Sequence, residues 1–173
     1  MGSSTEQEQG FSEFESNLDL LMQVPFFAVM PVEALKVLAY LCSREVFKAG
    51  DYVFQQEEED GHAYYIMEGK AALLRDSGAG EERLREFGDG VFLGGLSLLS
   101  TTKRLFSLRA ETPLSCMVLA EDGYRKTLAQ FPDVLPEVLK EVCAQIYRWE
   151  FGLIVQHADI CPHCKSVVGV TLI

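Results

Sequence analysis

The sequence predicts an α+β domain in which a sandwich or barrel of short strands is flanked by helices. Two observations carry this. Between Glu45 and Ala120, short apolar runs alternate with Gly-rich or acidic turns at close, regular spacing. Before and after that stretch, apolar residues recur every three or four positions, which is helical spacing. Helices segregated at the two ends of a strand-rich segment make the class α+β.

The elements follow in order. Residues 1–10 are polar and are expected to be disordered. Phe11, Phe14, Leu18, Leu21 and Met22 form the stripe of a first helix that closes at Pro25. A second begins near Pro31, where proline suits the first turn and Glu33 complements the helix dipole. Strands are expected at 44–48, 52–56, 63–68, 70–75, 82–87, 104–110 and 114–119. The segment Gly94-Gly95-Leu96-Ser97-Leu98-Leu99-Ser100 breaks that rhythm and reads as a Gly-led turn entering one short helical turn. Its backbone N–H groups, those of Leu96, Ser97 and Leu98, are expected to face an anion. A helix over 121–131 and a longer one over about 134–155 complete the domain. Leu135, Val138, Leu139, Val142, Ile146, Trp149 and Leu153 on the long helix fit either packing on the chain's own strands or the seam of a homodimer.

Composition narrows the function. The 173 residues suit one domain, and the formal net charge of -11 argues against a nucleic-acid partner, whose phosphates require clustered Lys and Arg. No apolar stretch has the length of a membrane span, and the N-terminus carries no signal or myristoylation pattern, so a cytoplasmic protein is expected. No nucleophile triad, P-loop or dinucleotide fingerprint is present, so no catalytic residues and no enzyme activity are expected. His62 reads as a solvated turn residue, and Glu57-Glu58-Glu59-Asp60 as a solvated loop lacking the spacing of a calcium site.

Three stretches together resemble the cyclic-nucleotide-binding domain family, over roughly residues 18–150. Val24-Pro25-Phe26-Phe27, then Pro31, Leu35, Leu38 and Ala39, is similar to its helical entry. Phe47-Lys48-Ala49-Gly50-Asp51-Tyr52-Val53-Phe54, then Gln56, Tyr64, Tyr65, Ile66 and Gly69, follows the family pattern F-x-x-G-D-x-I through F-Y-x-I-x-x-G, with Glu57 replacing one family glycine. Leu93 to Leu108 is similar to the phosphate-binding cassette F-G-E-L-A-L-x-x-x-x-x-R-A-A-T-V: Gly94, Leu96, Ser97, Leu98, Arg104 and Ser107 stand at its Gly, Leu, Ala, Leu, Arg and Thr.

The resemblance implies an eight-stranded jelly-roll-like β-barrel (a double-stranded β-helix) with N-terminal helices and a C-terminal helix pair, covering 11–155. It implies a sensory module for a cyclic nucleotide or other small anionic ligand, relaying occupancy through the 134–155 helix. Ligand-binding candidates are Gly94, Gly95, Leu96, Ser97, Arg104, Leu105 and Phe106. Gly94 admits a phosphate close to the backbone, and Arg104 offers a charge-assisted contact to its oxygens, the bland alternative being a surface arginine paired with an acid. Gly95 stands where the family has the glutamate that holds the ribose hydroxyl. Leu105 and Phe106 replace two small residues; Phe106, Tyr147 or Trp149 are candidates to cap a base, and Leu105 with Phe106 are alternatively a plug that leaves a ligand-free interaction module.

The tail 156–173 holds a separate signal. Cys161 and Cys164 have the spacing of a zinc half-knuckle, with His157 a third ligand and Cys143, His163 or a thiol of another chain a fourth. The alternative is two free thiols or a redox pair. Some twenty residues after the long helix leave no room for a DNA-binding domain, so output is expected through a protein partner or a homodimer.

Overall fold

A computed structural model describes residues 3–157 apart from residue 79. Helices α1 (Ser3–Gln23), α2 (Pro25–Ala28) and α3 (Val32–Leu41) precede eight strands: β1 (Ser43–Phe47), β2 (Tyr52–Phe54), β3 (His62–Glu68), β4 (Ala71–Asp76), β5 (Glu81–Phe87), β6 (Phe92–Leu93), β7 (Ser107–Ala110) and β8 (Leu114–Ala120). Helices α4 (Glu121–Gln130) and α5 (Leu135–His157) follow, with single 3-10 turns at Gly95–Leu98 and Pro132–Val134.

The eight strands are consistent with the jelly-roll-like architecture expected and form two four-stranded antiparallel sheets, ordered β1-β8-β3-β6 and β2-β7-β4-β5, that do not close into a barrel. Val53, Phe54, Leu108 and Ala110 of one sheet pack against Tyr64, Ile66, Cys116 and Val118 of the other. The first sheet is buried on its second face too. There Ala63, Tyr65, Met117 and Leu119 meet Phe27, Leu35 and Leu38 of the helices. Burial on both faces is why β3 and β8 read as continuous apolar runs, whereas β5 is exposed and charged along most of its length.

Three expectations are corrected, and one strand is added. The first helix begins at Ser3, so the N-terminal segment expected to be disordered is helical. Glu6, Gln7, Glu8 and Gln9 are good helix formers with no proline among them. Pro25 does not merely end α1, since it starts the separate turn that buries Phe26 and Phe27. The strand expected from 104 begins at Ser107, because Arg104 lies in a loop bridged to Glu57 and Glu58 by backbone hydrogen bonds. β6 went unforeseen, being only two residues long.

No helix among the described residues is long and apolar enough to cross a membrane.

Candidate functional site

The site begins where β6 leaves the sheet. Tyr64 and Tyr65 hold Leu93 and Phe92 in register, delivering the chain to Gly94 at φ 83°. Only glycine fits there: a Cβ would lie 2.7 Å from Arg104 Nη1 and 2.8 Å from the His62 carbonyl oxygen. The 3-10 turn Gly95–Leu98 then buries Leu98 and Ser97 and leaves Leu96 exposed. The Ser97 N–H donates to the Gly94 carbonyl at 2.9 Å, so this expected anion donor is used inside the turn.

Arg104 is not a surface residue. Its side chain is 7% exposed and is held by Asp60, itself 16% exposed. Nε and Nη2 donate to the two Asp60 carboxylate oxygens, each at 2.9 Å, and Nη2 also donates to the His62 carbonyl. The guanidinium lies over the Phe54 ring, 4.2 Å from its centroid. Among the described residues Nη1 meets no hydrogen-bond acceptor, and this is the corner beside Gly94. Asp60 therefore fixes one edge of the fork and aims the other at the turn. The Tyr64 hydroxyl also donates to Asp60, at 3.0 Å. Burial first, then the Asp60 charge and this hydrogen bond, push the Tyr64 phenol above its ordinary range.

A cavity of about 520 Å³ opens against this corner, within the size range of small-molecule sites. Gly94, Gly95, Leu96, Ser97, Arg104, Leu105 and Phe106, all expected at the site, line it together. Leu105 and Phe106 line the cavity without filling it, Leu105 being 73% exposed at the rim. Phe54, Leu73, Phe87 and Leu93 form the rest of its apolar wall. Arg85 stacks on Phe87 at 5.2 Å and sits opposite Leu73, without a carboxylate partner among the described residues. A neighbouring hollow of about 570 Å³ lies between Gly95, Leu96 and Leu105 and the α5 residues Val142 and Ile146.

A Cβ on Gly95 would point at the Phe92 ring, 3.0 Å from its edge, so aromatic packing fills the direction a glutamate would take. Tyr147 is exposed and lines neither space; the side chain of Trp149 is outside the described residues. Asp60, which holds Arg104, and Phe54 and Lys103, which line the cavity, were missed as site residues. Asp60 was hidden in the acidic run, although it is the acid nearest the Gly61 turn leading into β3. Cys161 and Cys164 lie outside the described residues, as does the side chain of His157 at the end of α5. Among the described residues no cluster of His, Cys, Asp or Glu could hold a metal ion.

A profile of the cyclic nucleotide-binding domain matches residues 44–131, from β1 to the end of α4. The chain belongs to the cyclic nucleotide-binding domain family. That domain is a regulatory ligand-binding module, and the matched stretch of this chain spans the turn at Gly94 and both Asp60 and Arg104. The human potassium/sodium hyperpolarization-activated cyclic nucleotide-gated channel 1 is 26% identical over 113 residues, which are 65% of this chain and 12% of the channel. The N-terminal domain of a transcriptional regulator from Streptomyces coelicolor superimposes with TM-score 0.68 at 25% identity, covering 78% of this chain and 94% of that one. The regulatory subunit of a cAMP-independent protein kinase A from Trypanosoma brucei does so with TM-score 0.59 at 25% identity, covering 83% and 53%. The cyclic nucleotide-binding domain thus occurs in relatives far longer than this chain.

Proposed function

We propose that this domain senses a cyclic nucleotide, or another small anion carrying an apolar ring, held between the Gly94–Ser97 turn and Arg104. One observation carries the reading: Asp60 locks the Nε and Nη2 edge of Arg104, and Nη1 is left beside the one turn residue without a side chain. A phosphate oxygen at that corner gains a charge-assisted hydrogen bond without reordering the arginine. Lys103 lines the cavity as a second cation, and Arg85 on β5 lies over Phe87, the wall where the ring of the ligand would rest. The name of the gated channel relative supports a cyclic nucleotide as the first ligand to test.

Occupancy would pass to α5, whose Val142 and Ile146 face Leu96 and Leu105 across the adjoining hollow. Filling that hollow buries apolar surface on both sides and favours α5 closed over the turn. Calorimetry with cAMP and cGMP tests the binding step. The control is the double substitution Asp60→Asn, Arg104→Gln, which keeps the buried pair neutral and hydrogen-bonded. Binding lost in the double variant supports the reading; no binding of either nucleotide to the wild type overturns it.

A second reading is a ligand-free interaction module working through a homodimer or another protein. Gly95 supports it, because no carboxylate stands where the family holds the ribose. So do Leu135, Leu139, Tyr147 and Phe151, exposed along α5, and the relative from Trypanosoma brucei described as cAMP-independent. Sedimentation of the nucleotide-free chain distinguishes the two: a stable dimer unaffected by nucleotide favours this one.

A further inference from the structure

Arg85 stands apart from the other arginines of the chain. Each of the others donates at least one side-chain hydrogen bond, all but Arg44 to a carboxylate. Arg85 donates none among the described residues, and its guanidinium has the Phe87 ring for a neighbour, 5.2 Å away. In a chain with 26 acidic and 15 basic residues, an arginine without an acid calls for a structural reason.

The strand register supplies it. Leu73 on β4 faces Arg85 on β5, but Leu74 faces Arg83, so Leu84 is an extra residue in the pairing. One extra residue turns the side chains beyond it to the other face of the sheet. Glu86, by alternation, and Arg83, by this shift, lie on the outer face, where Arg83 donates to Glu86 and Glu111. Arg85 shares the inner face with Leu73 and Phe87, both of which line the cavity at Arg104.

The same register measures the site. Phe54 pairs with Leu108, Leu108 with Leu73, and Leu73 with Arg85, one row across the inner face of four strands. Neighbouring strands lie about 4.8 Å apart, so three spacings set Phe54 and Arg85 about 14 Å apart. Arg104 lies over the Phe54 ring at one end of the row, and Arg85 over the Phe87 ring at the other. No Asp or Glu lines the cavity. A guanidinium stacked on a ring is held by its flat face, and its N–H groups point outward in its own plane. At Arg85 those donors are free for an oxyanion.

We infer that the ligand of this site carries an anionic group at each end of an apolar ring, one held by the Gly94 turn and Arg104, the other, a carboxylate or phosphate, by Arg85. This rests on the reading that the turn and Arg104 hold an anion. A cyclic mononucleotide has a single anionic group and leaves Arg85 unused.

The test is calorimetry on the full chain with two probes, para-biphenyl phosphate and the same molecule carrying a carboxylate at its far para position, beside cAMP. The carboxylate should tighten binding roughly tenfold, the scale of one charge-assisted hydrogen bond. Arg85 is exposed, so this gain should shrink as salt rises from about 0.05 M to about 0.5 M. In Arg85→Gln the two probes should bind alike, Arg85→Lys should recover part of the difference, and Lys103→Gln should keep it. Equal affinities in the wild type, a gain that survives Arg85→Gln, or a gain lost only in Lys103→Gln overturns the inference and leaves the anion site at Arg104 standing. Binding of cAMP but of neither probe does the same; if none of the three binds, both readings fall.

Discussion

Replacing Arg104 by alanine removes three hydrogen bonds and the cation over Phe54, and leaves Asp60 as a carboxylate that is 16% exposed. Removing one partner of a buried ion pair costs about 3–5 kcal/mol. Asp60 keeps the Tyr64 hydroxyl and the His62 N–H as donors, which places the expected loss near the lower end, about 3 kcal/mol. That is a large share of the roughly 5–15 kcal/mol that holds a domain folded. With a urea slope of about 2 kcal/mol/M, the unfolding midpoint should fall by about 1.5 M. The double substitution Asp60→Asn, Arg104→Gln strands no charge and should cost less than half as much, so the two sites couple strongly in a mutant cycle. Tryptophan or circular dichroism signals followed through urea unfolding measure both. A midpoint shift under about 0.5 M for the single variant would refute the pairing as the source of the local order. Nucleotide affinities of Arg104→Ala must therefore be taken at urea-free, low temperature and normalised to the folded fraction.

Gly94→Ala places a methyl group 2.7 Å from Arg104 Nη1 at a φ of 83°, so a loss of about 1–3 kcal/mol and displacement of the arginine are expected from thermal unfolding and nucleotide titration. Tyr124→Phe should leave the melting temperature unchanged or raise it, because the Tyr124 hydroxyl is buried with no partner among the described residues; a loss above about 1 kcal/mol would refute this. Burial pushes the Cys42 and Cys116 thiols up to about 12, against an ordinary value near 8.5. Both should resist a thiol reagent at pH 8 in the folded protein, while the exposed Cys143 reacts. The sign for stability follows: between about 8.5 and 12 the unfolded chain loses thiol protons that the folded chain retains, so folding weakens as pH rises through that window. Gly95→Glu restores a carboxylate at the ribose position but must move the Phe92 ring, so stability should fall while cAMP affinity rises roughly tenfold; unchanged affinity would place the ribose elsewhere.

The cassette register was legible because glycine, a short apolar turn and an arginine at fixed spacing constrain a single stretch of chain. The expected candidates from Gly94 to Phe106 do come to one cavity. What Arg104 does within it was not legible. Its partner stands 44 residues away, in a run of four acids that look alike in one dimension. The stacking of β3 against β2 brings only Asp60 of that run into bidentate contact with Arg104, beside the Phe54 ring.

By itself the sequence determined the local features: helical repeats at both ends, the turn glycines, the strand-rich middle and the spacing from Gly94 to Arg104. These depend on neighbours a few positions apart, where periods of two and 3.6 residues are visible. Only the tertiary structure decided that the strands form two sheets, that one sheet is buried on both faces, and that Asp60 turns Arg104 toward the turn. Those outcomes depend on which faces stack and which side chains then share a desolvated space, and the energies that choose among them act across distant parts of the chain.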